Sequence, residues 1–444
     1  MAKNSLFSDI NFSKINSKTF IMRKSTNVHD MSLLSMYLFF LLAACLTLFI
    51  QAVWRTDSWF SNIYVTDAET LYDSLMYMIE NSVSFTQYLE EEDARIVFFI
   101  YQPLYMITRS PIAFILPNIL MLSVCFFCTY QTFKPLGYRS AYFSAISLSI
   151  NPYILLSITG ISKEIPLCAA TSVLFFLMKK KSNIRVILIL LLCFISYGIR
   201  PAYGAMLASY FLPCLILSKD FINKFRGIMI AIPFFFIAVF TTLTSYIPGL
   251  QRLVTIQQGL DAGTELGRAN LERTISSLES GGLSSCIELL FRTFSNIFSL
   301  ILRPSFTTNN NHISLLGIGF WIYGLLLSIS MVGTFIIFFR IVLQNKLSIM
   351  SQINRIYIKD LVFGVIYLVP AISLSLIIQP RYLMPILPAS MGFLGTLSLK
   401  SIYKIAVLML IVSILGYFYL TFFAGIEPIK SIDSPHKPNF VLNI

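Results

Sequence analysis

Five side chains in short breaks between apolar runs have the types needed to hold an anion and move a proton. Lys163 and Glu164 stand side by side in SITGISKEIPLC, Arg200 lies in SYGIRPAYG, and Arg381 and Tyr382 lie in IIQPRYLMPILPA. An arginine offers a planar fork of donors that meets phosphate oxygens in bidentate fashion, whereas a lysine acts as a point charge. Arg303, in LILRPSF, adds a further cation of this kind. Proline neighbours fix φ and so put these side chains on stiff turns. Carboxylates supply the complementary chemistry, since one placed beside a hydroxyl can accept its proton as a new bond forms, while cations stabilise a departing phosphate. The candidate bases are Glu164 and, in VTDAETLYD, Asp67 and Glu69. Asp67 and Glu69 are equally suited to holding a divalent cation through oxygen ligands. Each charge taken alone also fits an interfacial anchor that snorkels to water, and TDAET also reads as a helix cap with acids in the first turn.

The surrounding chain must place these groups from within a membrane. Of its 444 residues, 56% are hydrophobic and 12% charged, and the mean hydropathy is +0.75, far from the range of a soluble domain. A bilayer core of about 30 Å takes roughly 20 apolar residues per helix. The expected fold is an all-α polytopic membrane protein of about eleven transmembrane helices, over 32–54, 111–133, 141–159, 166–178, 185–199, 202–218, 228–248, 314–340, 361–378, 383–398 and 403–424. They form a single membrane domain, 32–424, between a tail of 1–31 and a tail of 425–444. Residues 1–31 are polar and basic, and the first apolar run is long enough to stay as an anchor, so no cleavable signal is expected.

The formal net charge of +12 invites a nucleic-acid reading, which the distribution of charge excludes. With the amino terminus cytoplasmic, 20 of the 33 basic residues and only four of the 21 acids fall on the cytoplasmic side. That asymmetry is the positive-inside pattern. The carboxyl-terminal tail then lies on the opposite, periplasmic face, as do the turns bearing Lys163, Arg200 and Arg381. Cations are depleted from that face by the same tendency, so their concentration there points to a bound anion, with lipid phosphates or diphosphates the natural candidates. Six of the seven cysteines lie in apolar runs and the three histidines are scattered, which leaves no disulfide framework or zinc ligand set.

Two longer segments, 55–110 and 249–313, break the sequence of hairpins on the periplasmic side. In the first, Leu71, Leu75, Met78 and Ile79 share one helical face, the pattern of an amphipathic helix at the membrane surface. In the second, Leu271, Ile275 and Leu278 mark a similar piece. The following stretch, SSCIELLFRTFSNIFSLILRPSF, is interrupted by Glu288, Arg292 and Asn296 and is expected to lie in the interface.

The layout, with its acid-bearing first loop TDAETLYD, the run YQPLYMI, the turn NPYILLSITGISKE and the late-helix entry RYLMPILPA, resembles bacterial membrane-embedded glycosyltransferases of the GT-C type and the O-antigen and exopolysaccharide repeat-unit polymerases. The resemblance implies a bacterial inner-membrane enzyme acting at the periplasmic face on a polyprenyl-linked saccharide donor and a glycan acceptor, alongside other polysaccharide-assembly proteins. It implies Asp67 or Glu69 as base or metal ligand, and Lys163, Arg200 and Arg381 around the lipid-linked phosphate. A lipid-linked oligosaccharide flippase is the rival expectation, for which charges should line a path through the membrane.

Overall fold

The computed structural model describes residues 32–49, 65–81, 95–110, 112–178, 183–216, 231–232, 234–235, 282–302, 304, 315–344, 352–373, 380–419 and 422. Among them every regular element is a helix, with no strand. In order the helices are α1 Ser32–Phe49, α2 Val65–Glu80, α3 Arg95–Thr108, α4 Ile112–Phe133, α5 Tyr138–Ser149, α6 Pro152–Ser157, α7 Glu164–Met178, α8 Asn183–Ile199, α9 Pro201–Ile216, α10 Gly282–Leu302, α11 Leu315–Gln344, α12 Gln352–Ile372, α13 Leu387–Leu394 and α14 Leu399–Phe418. A 3₁₀ turn, Pro380–Ile386, enters α13. Five of these stretches, in α1, α4, α10, α11 and α14, are long and apolar enough to cross a membrane. Among the described residues the protein is all-α, with the long apolar helices of a membrane-embedded chain.

Helix α4 is central, packing on α5, α7 and α3, while α13 is wedged between α5 and α11. Lipid tails are as apolar as leucine, so burial against lipid gives little preference for one partner over another, and polar cross-links fix the arrangement. Ser328 donates to the Ile297 carbonyl at 3.0 Å, Ser413 to the Ile301 carbonyl at 2.7 Å, and the Trp321 indole to Ser413 at 2.9 Å, which ties α10, α11 and α14 together. Arg139, at the start of α5, donates to the carbonyls of Gly395 and Leu397 and so caps α13.

Three sequence expectations need correction. The run 141–159 divides, because Pro152 has no amide proton to continue the helix and the Asn151 side chain accepts from the amides of Tyr153 and Ile154, starting α6 afresh. The run 383–398 becomes a 3₁₀ turn and a short helix, with Pro380, Pro385 and Pro388 at the break. The stretch placed in the interface forms one continuous helix of spanning length, α10. Its interrupting residues sit at three- and four-residue spacing on one face, where Ser285, Glu288, Arg292 and Asn296 are all buried, while Leu283, Ile287, Leu290, Phe291 and Phe294 are exposed on the other. Burial of its polar stripe against protein is what makes the helix compatible with a bilayer. By contrast α2 forms as its periodicity predicts, with Leu71, Leu75 and Met78 buried. The expected helix at 228–248, the amphipathic piece around Leu271 and both tails lie outside the described residues, apart from 231–232 and 234–235.

Candidate functional site

Arg200 occupies a corner between α8 and α9 with almost no loop. Its amide donates to the Ser196 carbonyl at 2.9 Å, and its carbonyl accepts from the Gly204 amide at 3.0 Å. The two helices approach so closely that a Cβ at Gly204 would lie 2.1 Å from the Tyr197 amide nitrogen, so only glycine fits there. Pro201 takes the first helical position, where its missing donor costs nothing.

Glu164 opens α7, where a carboxylate also meets the positive end of the helix dipole. Ser162 organises this start: its Oγ accepts from the Ile165 amide at 3.3 Å and donates to Glu164 Oε2 at 3.4 Å. Ser162 was not singled out from the sequence, although a serine two residues before an acid at the head of an apolar run is a recognisable helix-start signal.

The fold brings these turns together. Arg200 Nη2 lies 3.4 Å from Glu164 Oε1. The Arg200 guanidinium carbon sits 4.2 Å from the centre of the Tyr382 ring, and that of Arg381 sits 5.6 Å from the same ring. Two guanidinium groups thus share one aromatic ring, an electrostatic contact with the π electrons. Glu164 and Arg381 are buried, whereas Lys163, Arg200 and Tyr382 are half-buried. In the aromatic core Tyr153 stacks on Phe320 at 4.3 Å and meets Tyr323 edge-on at 4.8 Å.

Burial works to raise the Glu164 pKa, but Arg200 first, then Arg381 and Lys163, outweigh it and hold the carboxyl below the usual carboxylate range. Glu164 is therefore an ionised partner of the arginines at ordinary pH. A carboxylate so stabilised is a weak proton acceptor and a strong organiser of guanidinium groups.

Five of the sequence candidates, Lys163, Glu164, Arg200, Arg381 and Tyr382, converge in this way. Asp67 and Glu69 fall in the first turns of α2, their side chains outside the described residues, and Arg303 is likewise outside. Tyr72 on α2 reaches Tyr105 on α3, with hydroxyls 3.4 Å apart, and its ring meets Phe114 on α4 edge-on. Among the described residues no group of three or more histidines, cysteines or acids is placed to hold a metal ion. Compared with known proteins, the chain matches no family model, no curated protein and no solved structure.

Proposed function

We propose that this cluster is the phosphate-binding half of a glycosyl-transfer site. The observation that carries the reading is the convergence of cations from three turns, at 163, 200 and 381, around one carboxylate and one aromatic ring. The planar forks of two arginines suit phosphate oxygens, and a lysine beside them adds a point charge. The proposed donor is a polyprenyl-(di)phosphate-linked saccharide, and the proposed setting is the periplasmic face of a bacterial inner membrane during surface-polysaccharide assembly.

In the reaction an acceptor hydroxyl oxygen attacks the anomeric carbon, the bond from that carbon to the phosphate oxygen breaks, and the hydroxyl proton passes to a carboxylate. Lys163, Arg200 and Arg381 stabilise the charge gathering on the leaving phosphate. Glu164 holds the guanidinium groups in place, which leaves the base role to Asp67 or Glu69 on α2, either of which also has the chemistry to hold a divalent cation. Repeat-unit polymerisation in O-antigen biosynthesis is the preferred form of this reading, with single-sugar transfer as the alternative form.

A second reading, a lipid-linked oligosaccharide flippase, draws support from one observation: α10 carries a buried ion pair, Glu288 and Arg292 at 3.2 Å, within a helix of spanning length. A deletion strain separates the readings. Polymerisation is supported by loss of long chains with one repeat retained, single-sugar transfer by normal ladders lacking one sugar, and the flippase by accumulation of the lipid-linked unit on the cytoplasmic side.

A further inference from the structure

An asparagine buried in an apolar helix needs a reason, because each unpaired amide group there costs on the order of 1–3 kcal/mol. Asn118 lies in α4, within LPNILML, and has no exposed surface. Its Nδ2 faces three backbone carbonyls of a neighbouring segment, those of Ser157 at 3.2 Å, Ile158 at 3.0 Å and Gly160 at 2.8 Å. Its Oδ1 accepts from the Tyr101 hydroxyl of α3 at 2.6 Å, and that hydroxyl also lies 3.3 Å from the Ser162 carbonyl. Four carbonyls between 157 and 162 are thus met by two side chains from other helices.

Those carbonyls belong to the end of α6 and to the turn that leads into Lys163 and Glu164. A helix end leaves its last carbonyls without partners, and here no local cap supplies them all. The two N–H groups of Asn118 from α4, shared among the carbonyls of 157, 158 and 160, and the Tyr101 hydroxyl of α3 beside the carbonyl of 162 take up this role, which fixes the depth and direction at which the turn enters α7. No other side chain of similar size replaces this. Leucine offers no donor, and aspartate would point negative oxygens at three carbonyls. Tyr101 is held in turn by its edge-on contact with Phe114, 6.0 Å between ring centres.

We infer that Asn118 is a positioning residue of the anion site, and that Tyr101 supports it: together they set the 157–162 turn so that Glu164 meets Arg200 and Lys163 faces the ligand. This rests on the anion-site reading given above, and the test separates the two. Full-length protein in lipid nanodiscs is titrated with inorganic diphosphate, and amide hydrogen exchange is followed over 157–164. Asn118→Leu should speed exchange in that segment, with α8, α9 and α14 unchanged, and weaken diphosphate binding about tenfold, the scale of one or two lost hydrogen bonds. Tyr101→Phe, which keeps the ring and removes one hydroxyl, should produce both effects in smaller degree and covers the case in which the leucine variant fails to fold. Unchanged exchange in Tyr101→Phe overturns the positioning role, as does faster exchange with unaltered diphosphate affinity. Should the parent protein bind no diphosphate, the anion-site reading falls, while the exchange result alone still decides whether Asn118 and Tyr101 set the turn. Comparing inorganic diphosphate with a short-chain prenyl diphosphate shows whether the site reads the phosphates alone or needs the tail.

Discussion

Arg200 reaches Glu164 across 36 residues of sequence, Nη2 to Oε1 at 3.4 Å, and the same guanidinium lies against Tyr382. One arginine therefore joins the start of α7, the corner of α8 and α9, and the turn that enters α13. Replacing either partner should loosen more than a pair. With the Arg200 side chain a quarter exposed, the direct coupling to Glu164 is expected to be about 1 kcal/mol. Thermal unfolding of Arg200→Ala, Glu164→Gln and the double variant measures it. Fully additive losses would remove the pair from any account of the site.

The Glu164 carboxyl is held below its ordinary value of 4.5, which ties stability to pH in one direction. A depressed folded-state pKa gives stability that is fully present above the unfolded value and is lost as pH falls through the folded one. The parent protein should accordingly lose stability as pH drops below about 4.5, and Glu164→Gln should lose less over the same interval. Unfolding midpoints taken from pH 3 to 7 provide the comparison. Parallel curves for the two proteins would mean that another group controls the acid limb.

Tyr382 offers the arginines a ring face, and its hydroxyl is not needed for that contact. Tyr382→Phe should keep anion affinity within about twofold, whereas Tyr382→Leu should lower it several-fold, since a cation over an aromatic ring contributes about 0.5–2 kcal/mol. Diphosphate titration of both variants decides this. A phenylalanine variant as weak as the leucine variant would shift the role to the hydroxyl, placing it on the ligand.

The sequence showed the class and much of the site for physical reasons that differ by residue. Hydropathy marks apolar runs directly, so α4, α8, α9 and α14 begin close to where their composition changes. Lys163, Arg200 and Arg381 stood out because the positive-inside tendency should deplete cations from the turns expected on the outer face, and the fold does bring them to one place. Asn118 was illegible, since its partners are backbone carbonyls some forty residues away, and no local pattern encodes them. The Asn151–Pro152 break carried a visible signal, an N-cap residue followed by proline, that hydropathy alone overrides. In α10 the polar residues looked like interruptions because their common face is apparent only when the helix is set against its neighbours.

That α10 stripe supports a last prediction. Register places it well inside the bundle: Ile297 meets Ser328 and Asn296 meets Ser373, so Arg292, one turn towards the start of α10, falls level with the middle of the 30-residue helix α11. Arg292 and Glu288 are 1% and 5% exposed and 3.2 Å apart. A paired charge at such depth is tolerated, but removing one partner strips the other of its ion pair, at a cost of about 3–5 kcal/mol. Arg292→Met and Glu288→Met should each abolish or sharply reduce the folded yield in membranes. The double variant, which removes both charges and keeps the volume, should recover most of it. If the recovered double variant retains sugar transfer, the pair serves the packing of α10 alone. If it folds and loses transport of a labelled lipid-linked saccharide while no glycosidic bond formation is found in the parent, the flippase reading gains the site it requires. Recovery failing altogether, with each single variant stable, would show that the two charges do not act as a pair.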